Sequence, residues 1–166
     1  MKETRYLEEN IELVKSLKKL PIIEALDETQ VKSLIKLCRI AEFEDNETVF
    51  DEGGFDQHIF LLLTGKVRIV KQGIEVRILD RCGDVFGEMG IIDAMPRSAS
   101  VYAVEKTSCL KMDVSFVDRL EEKEREVCLY VIYRVFTELL SNRLRQTTED
   151  LINVREEYER LKGRKG

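Results

Sequence analysis

The sequence predicts an α+β fold in which a jelly roll of short antiparallel strands lies between helices at either end. Three observations predict it. Apolar residues recur at helical spacing over residues 5–18. From about Ile40 to Met112 the spacing drops to two, with Gly, Asp and Asn clusters between short runs. From about Glu124 to Leu161 there is neither proline nor glycine, which leaves room for one long helix.

Leu7, Ile11, Val14 and Leu17 form one apolar stripe with charges opposite, so residues 1–19 read as an N-terminal amphipathic helix. Proline breaks the apolar segment 20–26. Asp27 with Gln30 suits the start of a second helix that turns Val31, Leu34, Ile35 and Cys38 inward. The β-roll follows, in a domain spanning residues 20–122. Val49-Phe50 leads into an Asp51–Gly54 turn. Ile59–Leu63 is a short buried run that Thr64-Gly65 ends. Val67 and Ile69 alternate with charged residues, and Gln72-Gly73 turns the chain. Ile74, Val76 and Ile78 alternate with Glu75 and Arg77, and residues 80–84 close that strand. Val101–Val104 and Cys109–Met112 supply the last strands. Ser115 with Asp118 reads as the cap of a short helix before the long helix of residues 123–166.

At 166 residues with 43% hydrophobic and 36% charged content, the chain suits one compact domain plus an extension. A net charge of −5 argues against an overall electrostatic grip on nucleic acid. The N-terminus lacks an apolar signal region, and no apolar run approaches a membrane span, so a cytoplasmic protein without membrane contact is expected. Cys38, Cys82, Cys109 and Cys128 are well separated among apolar residues and read as reduced, packed thiols with no metal. His58, the one histidine, has no visible partner for a triad or a metal site.

The chemistry concentrates in residues 85–101, VFGEMGIIDAMPRSASV. Gly87 and Gly90 let backbone approach a ligand closely, and a helical turn after them offers amides to an anion. Pro96 restrains the chain before Arg97, whose planar fork suits two phosphate oxygens; Ser98 adds a hydroxyl. Glu88 would repel a phosphate but accepts a bond from a sugar hydroxyl. Alternatively, Glu88 and Arg97 pair with one another to close a surface loop. No nucleophile–base pair is visible, so an enzyme is not expected.

The segment resembles the phosphate-binding cassette of the cyclic nucleotide-binding domain family: Phe86-Gly87-Glu88, then Met89-Gly90-Ile91-Ile92, then Pro96-Arg97-Ser98-Ala99. The Leu20-Pro21 turn, Glu52-Gly53 and the Thr64–Val67 hairpin resemble that family too. The resemblance implies a cyclic nucleotide ligand. Glu88 then holds the ribose 2′-hydroxyl, while Arg97 and Ser98 hold the cyclic phosphate. Some cyclic-GMP-selective relatives carry threonine at the position of Ser98, so cyclic AMP is favoured and cyclic GMP stays possible.

Along the last helix Leu140, Leu144, Thr147, Leu151, Val154, Tyr158 and Leu161 alternate by four and three, a coiled-coil seam that predicts a parallel homodimer. Thr147 at a seam position either bonds the carbonyl four residues back or meets a ligand. Residues 142–149 resemble the adenine-contacting part of the dimer helix in catabolite activator-type regulators. That resemblance implies that Thr147 and Thr148 contact the base, one of them across the dimer. Arg143, about one turn before Thr147, either approaches the pocket as well or stays solvated. In those regulators a DNA-reading domain follows. Here residue 166 ends the sequence, so a free-standing sensor acting on an unknown partner protein is expected, without DNA binding. A regulator whose reading head lies elsewhere, or a ligand-free dimerisation scaffold, are the other readings.

Overall fold

A computed structural model describes residues 2–4, 27, 30–31, 35, 37–92 and 95–163. Among the described residues nine strands form two antiparallel sheets: β1 Lys2–Thr4, β2 Cys38–Phe43, β3 Thr48–Phe50, β4 His58–Thr64, β5 Val67–Lys71, β6 Ile74–Leu79, β7 Val85–Phe86, β8 Ser100–Ala103 and β9 Thr107–Asp113. One sheet has the order β1-β2-β9-β4-β7, the other β3-β8-β5-β6. A single helical turn, α1 (Met89–Ile92), sits between β7 and β8, and α2 runs from Glu122 to Gly163. The expected β-roll with a long C-terminal helix is therefore present.

The first sheet is covered on both faces, which explains why β4 reads as an unbroken apolar run. Ile59 and Leu61 face a core shared with Val85, Cys128, Val131, Ile132 and Phe136, so α2 packs there. Phe60 and Leu62 face inward with Phe43 and Phe86 of their own sheet, against Val67 and Val101 of the other. A segment inside the sandwich thus needs no polar alternation. Gln72 (φ 51°) and Gly73 (φ 78°) both turn left-handed between β5 and β6, as a two-residue hairpin requires.

Several expectations change. Asp27 and Gln30 do cap one another, at 3.0 and 2.9 Å, and Val31 and Ile35 are buried. Cys38 is buried too, but it opens β2 instead of closing the helix. Lys2–Thr4, expected within the helix of residues 1–19, instead form a strand on β2, with Thr4 opposite Ile40. The helix expected from residue 5, the turn over residues 20–26 and Leu34 lie outside the described residues. Ser115 does not cap with Asp118. Asp113 accepts from Ser115 N (3.0 Å) and Oγ (2.6 Å), opening a 3-10 turn, Val114–Arg119, that delivers the chain to α2. Cys82 is exposed in the β6–β7 turn, whereas the other three cysteines are buried. Burial pushes the Cys38 thiol, with Cys128 beside it, and the Cys109 thiol up to about 12.

In β6 the apolar residues Ile74, Val76 and Ile78 face outward and only Leu79 is buried. Leu79 stands opposite the buried Val67, so Ile78, the next residue along the strand, points to the other face. Arg77, opposite Ile69, reaches α2, donating to Gln146 Oε1 at 2.9 Å.

Candidate functional site

The site is built where β7 ends against β4. Phe86 pairs with Phe60 across that ladder and their rings stack at 5.3 Å. Phe50 adds a third ring, 5.7 Å from Phe60 and 6.2 Å from Phe86. This rigid apolar floor fixes where the next residues emerge. Gly87 takes φ +83°, and a Cβ there would stand 2.9 Å from Arg97 Nη1 and 3.1 Å from the His58 carbonyl. Only glycine suits both the backbone angle and the space. The N–H groups of Ile91 and Ile92 donate to the Glu88 carbonyl at 3.1 Å, forming α1.

Arg97 is held by its backbone and its side chain. Its N–H donates to Gly54 O and its carbonyl accepts from Gly53 N, both at 2.8 Å. The glycine turn before β4 thereby fixes the arginine. The side chain is 2% exposed. Nε donates to Asp56 Oδ2 at 2.9 Å and Nη2 to the His58 carbonyl at 2.6 Å; Nη2 also reaches Asp56 Oδ1, and Nη1 reaches the Gly87 carbonyl. The guanidinium lies 4.1 Å over the Phe50 ring. A guanidinium has five N–H donors, and these bonds engage four of them, so an incoming anion must share or displace a protein acceptor.

Burial disfavours charge on Asp56, but the bonds from the His58 ring, Arg97 and the His58 backbone outweigh it. Its carboxyl is held well below the usual carboxylate range. Asp56 is therefore a charged partner for Arg97 at any ordinary pH.

Glu88 is 1% exposed, and Arg143 of α2 supplies its counter-charge, donating to Glu88 Oε1 and to the Val85 carbonyl. A buried carboxylate without such a partner would be costly. Glu88 and Arg97 thus do not close a loop on each other. Each has a separate partner, and both line one cavity of about 80 Å³. Phe86, Gly87, Met89, Ser98, Ala99 and Arg143 line the same cavity. Eight of the ten residues singled out from the sequence therefore come together.

Thr147 and Thr148 do not line the cavity and are exposed on α2. Thr148 Oγ1 donates to the Leu144 carbonyl at 2.7 Å, the local bond that the sequence allowed for Thr147. Ser98 Oγ lies 3.7 Å from Met89 Sδ. Two site residues were missed. Phe50 reads only as a strand residue before the Asp51–Gly54 turn, and Asp56 is not singled out. The signal for Asp56 was a single acid directly before a buried strand, with Arg97 in need of a counter-charge. Among the described residues no group of three or more His, Cys, Asp or Glu side chains is placed to hold a metal ion.

Fold and site together define a ligand-binding β-roll whose pocket is closed by a long helix. The chain belongs to the cyclic nucleotide-binding domain family, whose profile matches residues 40–124. A cGMP-dependent protein kinase of Plasmodium berghei (strain Anka) is 32% identical over 88 residues, 53% of this chain and 10% of the kinase. A CRP-like cAMP-activated global transcriptional regulator of Mycobacterium tuberculosis is 28% identical over 142 residues, 80% of this chain and 59% of the regulator. The chain thus spans from a tenth to somewhat over half of these relatives. Among solved structures, the Thermus thermophilus catabolite activator protein superposes with a TM-score of 0.61 at 25% identity, over 81% of this chain and 62% of that one. A cyclic nucleotide-binding domain from Methylobacillus flagellatus KT superposes with a TM-score of 0.73 over 86% and 84%; at 21% identity it speaks for the fold alone.

Proposed function

We propose that this chain is a sensor that binds cyclic AMP between the cassette and α2 and passes the signal to a partner protein as a parallel homodimer. The observation that carries the reading is the shared cavity. A buried arginine and a buried glutamate border it, next to a serine hydroxyl. That pairing suits a ligand with an anionic phosphate beside a sugar hydroxyl: Arg97 and Ser98 take the phosphate, Glu88 the 2′-hydroxyl.

The cavity of about 80 Å³ is smaller than the several hundred Å³, roughly 300–1,000, that small-molecule sites occupy. A hollow of about 580 Å³ lies between residues 77–85 and α2, and Arg143 borders both spaces. In this reading the nucleotide takes Glu88 from Arg143, which joins the two spaces and gives the base room beside α2. Thr147 and Thr148, one turn beyond, contact the base from one or both helices. The helix that held Glu88 must then repack. That repacking is the signal, and its size is the ligand's difference in affinity between the two packings.

Isothermal titration with cyclic AMP and cyclic GMP tests this. Saturable binding of one ligand per protomer, tighter for cyclic AMP, is expected. No heat and no thermal shift with either nucleotide overturns it.

A further inference from the structure

His58 is buried to an intermediate degree at the start of β4, and three bonds tie it to the arginine site. Asp56 Oδ1 accepts from His58 N at 2.9 Å and lies 3.1 Å from His58 Nδ1; the same oxygen accepts from Arg97 Nη2. The His58 carbonyl accepts from Arg97 Nη2 at 2.6 Å. On its other side, Nε2 is 3.9 Å from Asp113 Oδ2. Asp113 caps the 3-10 turn that leads into α2, and the Gln57 carbonyl accepts from Val114 N at 3.0 Å.

We propose that His58 is a positioning residue for the anion site, whose protonation loosens the hold of Asp56 on Arg97 and so tightens binding of a phosphate. A neutral imidazole has one N–H, which can serve Asp56 through Nδ1 or turn toward Asp113 through Nε2, not both. The imidazolium donates to Asp56 and at the same time sets a charge 3.9 Å from Asp113 Oδ2. It also shares the charge of Asp56 Oδ1, which leaves more of the Arg97 charge for an incoming anion. By reciprocity, an anion at Arg97 favours the proton on His58. The charges that face the ring are Asp56 from the turn before β4, Asp113 from β9 and Arg97 from the cassette. Lys111 lies two residues before Asp113 on β9, opposite Phe60. The inference rests on phosphate binding at Arg97.

Cyclic AMP is titrated calorimetrically from pH 5.5 to 8 in buffers of different ionisation heat. A second measurement follows the ring carbon–proton signal of His58 by NMR; as the one histidine, it needs no assignment. Affinity is expected to rise about fivefold toward acid, the low end of typical couplings, with proton uptake on binding. His58→Asn should bind with a flat pH profile, and Asp113→Asn should lower the His58 midpoint. Binding with no pH dependence and no movement of the His58 midpoint overturns the proposal. If no nucleotide binds at any pH, the reading of the pocket fails. The coupling is then decided by Arg97→Gln: a raised His58 midpoint in a folded variant upholds it, and an unmoved one overturns it.

Discussion

The guanidinium of Arg143, on the long helix, lies against the carboxylate of Glu88, a side chain that is 1% exposed in the cassette. This contact joins the expected ribose ligand to the element expected to carry the signal. Arg143 therefore stabilises the fold as well as bordering the cavity. Arg143→Ala leaves Glu88 buried without its cation. Urea unfolding of this variant should show a loss of about 3–5 kcal/mol, the cost of removing one partner of a buried charge pair. Saturating nucleotide should restore part of the loss, since the ribose hydroxyl takes over the carboxylate. An unchanged midpoint would show that the contact contributes nothing.

Arg97→Ala tests the other half of the site. Removing one partner of a buried charge pair costs roughly 2–5 kcal/mol of binding. Calorimetric affinity for cyclic AMP should fall accordingly, in a variant whose circular dichroism confirms a folded roll. Near wild-type affinity would remove Arg97 from the site.

Gly87→Ala strikes the same guanidinium from the backbone side. The φ of +83° strains any residue with a Cβ, and that Cβ would crowd Arg97 Nη1. The expected result is a stability loss of about 1–2 kcal/mol from the backbone alone, together with weakened nucleotide binding. Normal affinity in a folded Gly87→Ala variant would mean that Arg97 has slack the structure does not show.

Much of this was legible in the chain, for reasons that differ by element. The cassette is local: Phe86 to Ala99 carries its turn, its acid and its arginine in one stretch, so spacing alone gathers them. The partners of those groups are not local. Asp56 lies 41 residues from Arg97 and Arg143 lies 55 from Glu88, and only the pairing of β4 with β7 and the packing of α2 bring them in. The exposed face of β6 was hidden for another reason. Alternation reveals that a strand has two faces, but the pairing of Leu79 with the buried Val67 sets which one turns inward. Asp113 displaced Ser115 as the cap because its carboxylate, already at the end of β9, meets both donors of Ser115 at once.

The carboxyl of Asp56, depressed by its bonds to His58 and Arg97, makes stability depend on acid. A carboxyl with a lowered folded-state value adds stability that is present above the unfolded value, about 3.9, and lost as pH falls toward the folded value. The stability advantage of the native chain over Asp56→Asn should therefore be largest above about pH 4 and shrink below it. Chemical unfolding at a series of pH values measures the difference. A constant advantage down to strong acid would mean that the bonds to Asp56 do not favour its charged form.

The last expectation concerns the far half of α2. From Val131 to Phe136 the helix buries side chains against the roll, but Leu144, Leu151, Val154, Tyr158 and Leu161 are 70, 50, 63, 59 and 57% exposed in the single chain. These residues repeat by seven and by four and three, the spacing at which a second helix covers them. A stripe of this length on a helix that leaves its own domain has no intrachain surface to cover it among the described residues. Sedimentation should therefore give twice the protomer mass of 19.3 kDa. Leu151→Glu, which places like charges face to face at the seam, should shift the mass to that of the protomer without unfolding the roll. A wild-type chain that sediments as a monomer at tens of micromolar, about the concentration where weak zippers still pair, would leave the helix without its partner. The repacking that carries the proposed signal would then have to act within one chain, through Arg143 and Glu88 alone.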